Sequence, residues 1–110
     1  MAHEVEQRGD VLLVTLHGGI GEIEAPQLER ELQSFIERGS VKLVLDLADV
    51  PFVTSAALFA LMVADKPAKQ RQGYVRIVRP QPLVRQVLET TRLATRFGLY
   101  LSVEAAIAAP

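Results

Sequence analysis

Thr54 and Ser55, side by side in Val53-Thr54-Ser55-Ala56-Ala57-Leu58, are the hydroxyls best placed for chemistry. They stand where an alternating apolar run gives way to an alanine- and leucine-rich segment, the pattern of a strand turning into a helix. Two roles suit that position. A Ser or Thr oxygen can cap amides that the first helical turn leaves unpaired. The same amides and the helix dipole also favour an anion, so a phosphoryl group on Ser55 is compatible with folding. Nucleophilic catalysis lacks its helpers. The histidines are His3, near the terminus, and His17, before a glycine run, and no Gly-x-Ser-x-Gly elbow surrounds Ser55.

Asp46 stands near the end of the strand before this turn and has two readings. It can bind a metal or act as a base, or it can order the turn by accepting backbone hydrogen bonds. No second carboxylate or histidine has an obvious place beside it, so the turn role is the simpler. Gly18, Gly19 and Gly21 suggest a phosphate loop, but no Lys-Ser/Thr follows them. They read as a crossover loop in which glycine supplies positive φ. Metal-ligand spacings are absent, and without cysteine there are no disulfides, thiolate ligands or Cys nucleophiles. Neither a catalytic residue, nor a metal, nor a cofactor is expected.

The elements around these residues follow from periodicity. Val41, Leu43, Leu45 and Leu47 alternate as in a strand, and Asp49, Val50, Pro51 and Phe52 form the turn. In the following helix Ala57, Ala60, Leu61, Ala64 and Ala68 share a smooth face suited to a sheet. Leu58, Phe59 and Met62 lie nearer Ser55, in line with Asp65, Lys66 and Lys69, which are expected to meet water. Leu58 and Met62 suit either core or surface, and Phe59 is the better candidate for an exposed contact. Pro67 predicts a kink, or an end near Lys66 and a restart. Gly73 closes the helix.

Upstream, Val5 begins a strand, Arg8-Gly9-Asp10 turns, and Val11–Leu16 returns. Its blurred alternation suits a strand with one face packed and the other half exposed. Residues 25–38 predict an amphipathic helix burying Leu28, Leu32, Phe35 and Ile36, with Pro26 in its first turn and Gly39 as its stop. Downstream, Tyr74–Val78 is a strand, Arg79-Pro80-Gln81-Pro82 a turn, and Leu83–Thr91 a helix with Leu83, Val84, Val87 and Leu88 inward. Leu99–Leu101 adds a strand, and Ser102 caps a last helix over Val103–Ala109. Arg76, Arg79, Arg85, Arg92 and Arg96 make this third basic. Without interleaved aromatic residues they read as a solvated surface rather than a nucleic-acid site.

Hairpin followed by strand-helix alternation predicts an α/β fold, a mixed and mostly parallel sheet covered chiefly on one face by helices. Residues 1–110 read as a single domain, a length that buries a core without staples. With 12 basic and 13 acidic residues, no global field draws the protein to nucleic acid. A membrane-spanning apolar run is lacking, and the charged start lacks a signal peptide's apolar core. The default compartment is the cytoplasm.

The central segment resembles that of STAS domains, closest to the bacterial anti-sigma factor antagonists, or anti-anti-sigma factors. The shared features are the strand with Asp46 near its end, the short turn, Phe52-Val53, and Thr54-Ser55-Ala56-Ala57-Leu58. In that family the turn reads Asp-Ser-Ser-Gly-Leu or Asp-Ser-Ala-Gly-Leu, and the first serine is phosphorylated by the anti-sigma factor, itself a kinase. That serine falls on Ser55. Thr54 stands where the family has Asp, Ala57 where it has Gly, and Gly21 where a Leu-x-Gly-x-(Ile/Leu)-Asp stretch has Asp. Thr91-Arg92-Leu93 replaces Ser/Thr-Gly-Leu.

The resemblance implies a non-enzymatic regulator of transcription that binds an anti-sigma factor/serine protein kinase and is switched off by phosphorylation at Ser55. The partner would hold the ATP. It implies contact surface at Gly18, Gly19, Gly21, Thr54, Ala57 and Phe59, with Asp46 structural beside them. Alternatives are a STAS subunit of a lipid-transport ABC system or signalling scaffold that binds constitutively, and a self-associating domain in which Thr54 and Ser55 only cap. A small α/β enzyme would instead show turnover or a bound ligand.

Overall fold

The computed structural model describes residues 2–110. A five-stranded sheet runs in the order β1-β2-β3-β4-β5, the order of the strands along the chain. β1 (Ala2–Arg8) and β2 (Val11–His17) form an antiparallel hairpin, with Val5 opposite Val14. β3 (Lys42–Asp49), β4 (Tyr74–Val78) and β5 (Leu99–Tyr100) then add in parallel, one beside the next. Parallel neighbours need crossovers, and right-handed crossovers advancing one strand at a time place their helices on one face. α1 (Ala25–Glu37), α2 (Ser55–Gln70), α3 (Pro82–Thr90) and α4 (Leu93–Phe97) all contribute to the core on that face.

Leu12, Val14, Leu16, Leu43, Leu45, Leu47, Val75 and Ile77 supply the sheet's share of this core. Leu28, Leu32, Phe35 and Ile36 of α1 are buried as their spacing predicts. Each is worth about 1.5–3 kcal/mol relative to exposure. α1 ends in a Schellman turn: Gly39 takes φ +98, its amide donates to Ile36 O, and the Ser40 amide donates to Phe35 O.

The other face is covered further than the blurred pattern of β2 suggested. Val11, Leu13, Val44 and Val78 pack under α5 (Val103–Ala108), joined by Val103 and Ala106. Arg76 holds this helix down and is a correction to the solvated basic third. Only 9% of it is exposed. Its guanidinium donates to the carbonyls of Ala106, Ala109 and Pro110, and it lies 3.7 Å from the Tyr74 ring centroid. A cation set on the last carbonyls of a helix complements the dipole there.

α2 also departs from expectation. It runs unbroken through Pro67 to Gln70. Proline removes the bond that residue 67 would make to Val63, yet Ala64 and Ala68 on either side are fully buried and keep the last turn on the sheet. Asp65, expected in water, is 1% exposed because α4, unforeseen in the sequence, closes over it. Arg96 Nε donates to its Oδ2 at 2.7 Å, and Lys69 Nζ lies 3.1 Å from the same oxygen. Leu83, expected inward, is 57% exposed, since α3 turns Val84 and Leu88 to the core.

Candidate functional site

The turn between β3 and α2 and the glycine loop after β2 are one structure. Val50, fully buried, anchors the turn. Beyond it the two segments pair: Gly18 N donates to Asp49 O at 2.9 Å, Ile20 N to Phe52 O at 3.1 Å, and Thr54 N to Ile20 O at 3.1 Å. Ile20 and Val53 form a parallel bridge. The Phe52 ring lies on Gly19, where any Cβ would run into it. Gly19 therefore serves close approach rather than unusual φ, whereas Gly18 does use φ +85. Gly21 donates its amide to Glu24 Oε1 at 2.8 Å, at the start of α1.

This frame delivers Ser55 as the first residue of α2, exposed. Thr54 is the N-cap with extended backbone (φ −98, ψ 172), but no side chain caps the first turn. Its hydroxyl is instead 3.5 Å from Ile20 O. The capping role open to Thr54 and Ser55 is thus unfilled. By contrast, Ser102 does cap α5, accepting from Ala105 N at 3.1 Å.

Ser55 and Phe59, one turn apart, form a ridge between two hollows. A hollow of about 470 Å³ lies toward α1, walled by Ala25, Pro26, Ala56 and Ala60, with Glu22 and Glu29 at its polar edge. The other, of about 310 Å³, lies toward α3 and α4 and is lined by Leu58, Met62, Thr91 and Leu93. Phe59 is 61% exposed between them. The site is an apolar ridge with an acidic flank, a surface for contact rather than an enclosed pocket.

Asp46 takes the turn-ordering role. It is 4% exposed, accepts from Ala48 N at 3.1 Å through Oδ1, and binds Arg79 Nη2 through Oδ2. That hydrogen bond and charge raise the Arg79 pKa further, holding the guanidinium protonated. Arg79, in the left-handed region at φ 52, thereby ties the end of β4 to the end of β3, and Gln81 repeats the tie by donating to Ala48 O at 2.9 Å. The sequence pointed to a turn-ordering Asp46 but not to Arg79, which lies 33 residues away.

Of the residues singled out in sequence, the three loop glycines and Thr54 lie in the paired loop and turn, and Ser55 and Phe59 stand exposed where α2 leaves that turn. Ala57 does not join them. It is 1% exposed and packs in the core, because it lies on the alanine face of α2, so it offers no contact surface. Leu58 is buried, and Met62 packs against the core. Phe52, 47% exposed, and Ile23, 87% exposed, were missed as surface features. Their signal was a large apolar residue in a loop with no periodic partner, Ile23 standing between two glutamates. Arg92, where the resembled family has glycine, keeps a left-handed backbone at φ 63, at a cost of about 1 kcal/mol. Among the described residues no group of His, Cys, Asp or Glu is arranged to hold a metal ion, and no helix is long and apolar enough to cross a membrane.

The family model of the STAS domain matches residues 2–106. A Bordetella bronchiseptica protein, provisionally named anti-sigma factor antagonist BtrV, is 33% identical over 99 residues, covering 90% of this chain and 85% of that protein. An anti-sigma factor antagonist from Mycobacterium paratuberculosis is similar in structure, with a TM-score of 0.86 at 27% identity, over 96% of this chain and 90% of that one. The anti-sigma factor antagonist SpoIIAA shares the fold. Its unphosphorylated form gives a TM-score of 0.83 at 17% identity, over 96% of this chain and 93% of that one. Its phosphorylated form, from Bacillus, gives 0.75 at 16% identity, over 96% of each.

Proposed function

The chain belongs to the STAS domain family, as an anti-sigma factor antagonist-like member, and on that footing we propose that it binds an anti-sigma factor and is released by phosphorylation of Ser55. Anti-sigma factor antagonists are non-catalytic regulators, so the chemistry would belong to the partner. The observation that carries the proposal is the exposed first-turn position of Ser55, uncapped and one turn from the exposed Phe59.

Unmodified, the Phe59 ridge, its two flanking hollows and the Gly18–Gly21 loop offer apolar surface that a partner would cover. In the switch, the partner's kinase activity passes the γ-phosphoryl group of its ATP to Ser55 Oγ. The hydroxyl proton leaves, the bond to the β-phosphate oxygen breaks, and ADP remains with the kinase. About −1.5 to −2 charges then stand on the ridge. Glu22 and Glu29 line the adjoining hollow, so the new charge joins an acidic flank and must be desolvated for the partner to return. Uncapped amides let the helix itself tolerate the phosphate, which fits a switch that changes binding without unfolding. The site of action would be the cytoplasm, where sigma factors work.

The test is a paired capture from lysate of the source organism, with wild type and Ser55→Asp as baits. The expected result is a kinase-like anti-sigma factor held by wild type and weakened roughly tenfold or more by the variant, about 1.4 kcal/mol. An ABC-transporter or scaffold partner held equally by both baits would establish constitutive binding and leave Ser55 without a switching role.

A further inference from the structure

β2 ends at His17, whose ring lies between carboxylates from the strands on either side. Nδ1 is 2.7 Å from Asp49 Oδ2 at the end of β3, and Nε2 is 2.6 Å from Glu4 Oε1 on β1. A neutral imidazole carries one N–H and one lone pair. Such a ring satisfies one carboxylate and turns its lone pair on the other. Both short contacts are attractive only if both nitrogens carry protons.

We infer that His17 is an imidazolium clasp that draws the ends of β1, β2 and β3 together and fixes the root of the Gly18–Gly21 loop, and that loss of one proton releases one carboxylate and loosens that root. The backbone there has need of a clasp. The β2–β3 register slips between Thr15 and His17, and regular ladder bonding is interrupted where the chain leaves the sheet. Gly18, the next residue, has φ +85 and donates to Asp49 O, so the residue gripped by the ring also holds the loop.

The charges facing the ring are Glu4 from β1 and Asp49 from β3. The neighbouring carboxylate on the same face, Asp46, is occupied by Arg79, and further along β1 Arg8 is paired with Glu6 and Glu104. The hydrogen bond to Asp49, then that to Glu4, and the charges of both raise the His17 pKa above its ordinary 6.5, against the opposing effect of desolvation. A histidine pKa raised by folding gives stability that is full below the unfolded value. That stability is lost as pH rises through the folded value. The clasp belongs to the free protein; only its effect on a partner rests on the function proposed above.

The experiment follows the ring-nitrogen shifts of His17 with pH in the ¹⁵N-labelled chain, together with the exchange protection of the Gly18 amide. At pH 6.5, the ordinary midpoint, both ring nitrogens should still be protonated. As the ring titrates at higher pH, Gly18 protection should fall roughly tenfold. Asp49→Asn and Glu4→Gln should each lower the His17 midpoint, and neither surface change removes core packing. A ring mostly neutral at pH 6.5 would overturn the clasp. A Gly18 protection factor that stays level through the His17 titration would overturn its hold on the loop.

Discussion

The two ends of α2 treat their backbone in opposite ways. At the C-terminus the chain closes a full Schellman turn: Gly73 N donates to Ala68 O at 2.7 Å and Gln72 N to Lys69 O at 3.0 Å. Gln72 takes the left-handed conformation at φ 65 that glycine usually fills. Asp65, buried, is braced by Arg96 and Lys69, and Ala64 and Ala68 are sealed against the sheet. At the N-terminus no side chain caps the helix, Ser55 and Phe59 face out, and hollows flank them. One end is closed by internal contacts; the other leaves donors and apolar surface to whatever comes from outside. Under the proposed switch, that division would let a modification at Ser55 act on binding while the far end carries the fold.

The largest test of this contrast is Gly73→Ala. Gly73 is placed by proximity, not by φ, since a Cβ there would run into the carbonyl of Val41. Backbone cannot swing aside as a side chain does, so the cost should be about 3 kcal/mol, read as a lowered midpoint in urea. The folded fraction should keep whatever partner binding the wild type has. A loss of affinity beyond the loss of folded protein would mean that the two ends are coupled.

A smaller effect is expected at α5, where the same residue type performs the task that Thr54 and Ser55 leave undone. Ser102→Ala removes an observed cap on Ala105 N and should cost about 1 kcal/mol. Ser55→Ala removes no cap and should leave the stability measured in urea within about 0.5 kcal/mol of wild type. Equal losses at both serines would show that Ser55 acts as a cap in solution, and the comparison between the helix ends would fail.

Residues with local causes were legible in the sequence. The amphipathic spacing of α1, the alternation of β3, the stop at Gly39 and the Ser102 cap each depend on neighbours within a few residues. What was hidden depends on pairs far apart. Asp65 reads as polar and exposed until α4 brings Arg96 to it, and Arg76 reads as solvated until α5 turns its last carbonyls onto the guanidinium. Pro67 reads as a break because local propensity opposes it, yet buried Ala64 and Ala68 hold the turn. For the site, the position of Ser55 was legible from the strand-turn-helix pattern and the exposure of Phe59 from its helical phase. The clasp at His17 was not, because its carboxylates come from strands whose register no local pattern reveals.

The smallest expected effect bears most directly on the open end of α2. Thr54 already has the extended backbone of an N-cap, and only its side chain points the wrong way, toward Ile20 O. Thr54→Asp should let a carboxylate turn to the first-turn amides and meet the positive end of the helix dipole. Glu22 and Glu29 lie around the hollow beside it and oppose the added charge, so the net gain should stay near 0.5 kcal/mol. It should shrink in high salt, where both the dipole attraction and the opposing repulsion are screened. If stability falls instead, the Thr54 contact to Ile20 is holding the glycine loop against the turn, and the N-terminus of α2 is braced through that loop rather than left open. If it rises, the free amides are a real vacancy in the fold, at the place where a phosphoryl group on Ser55 would find its donors.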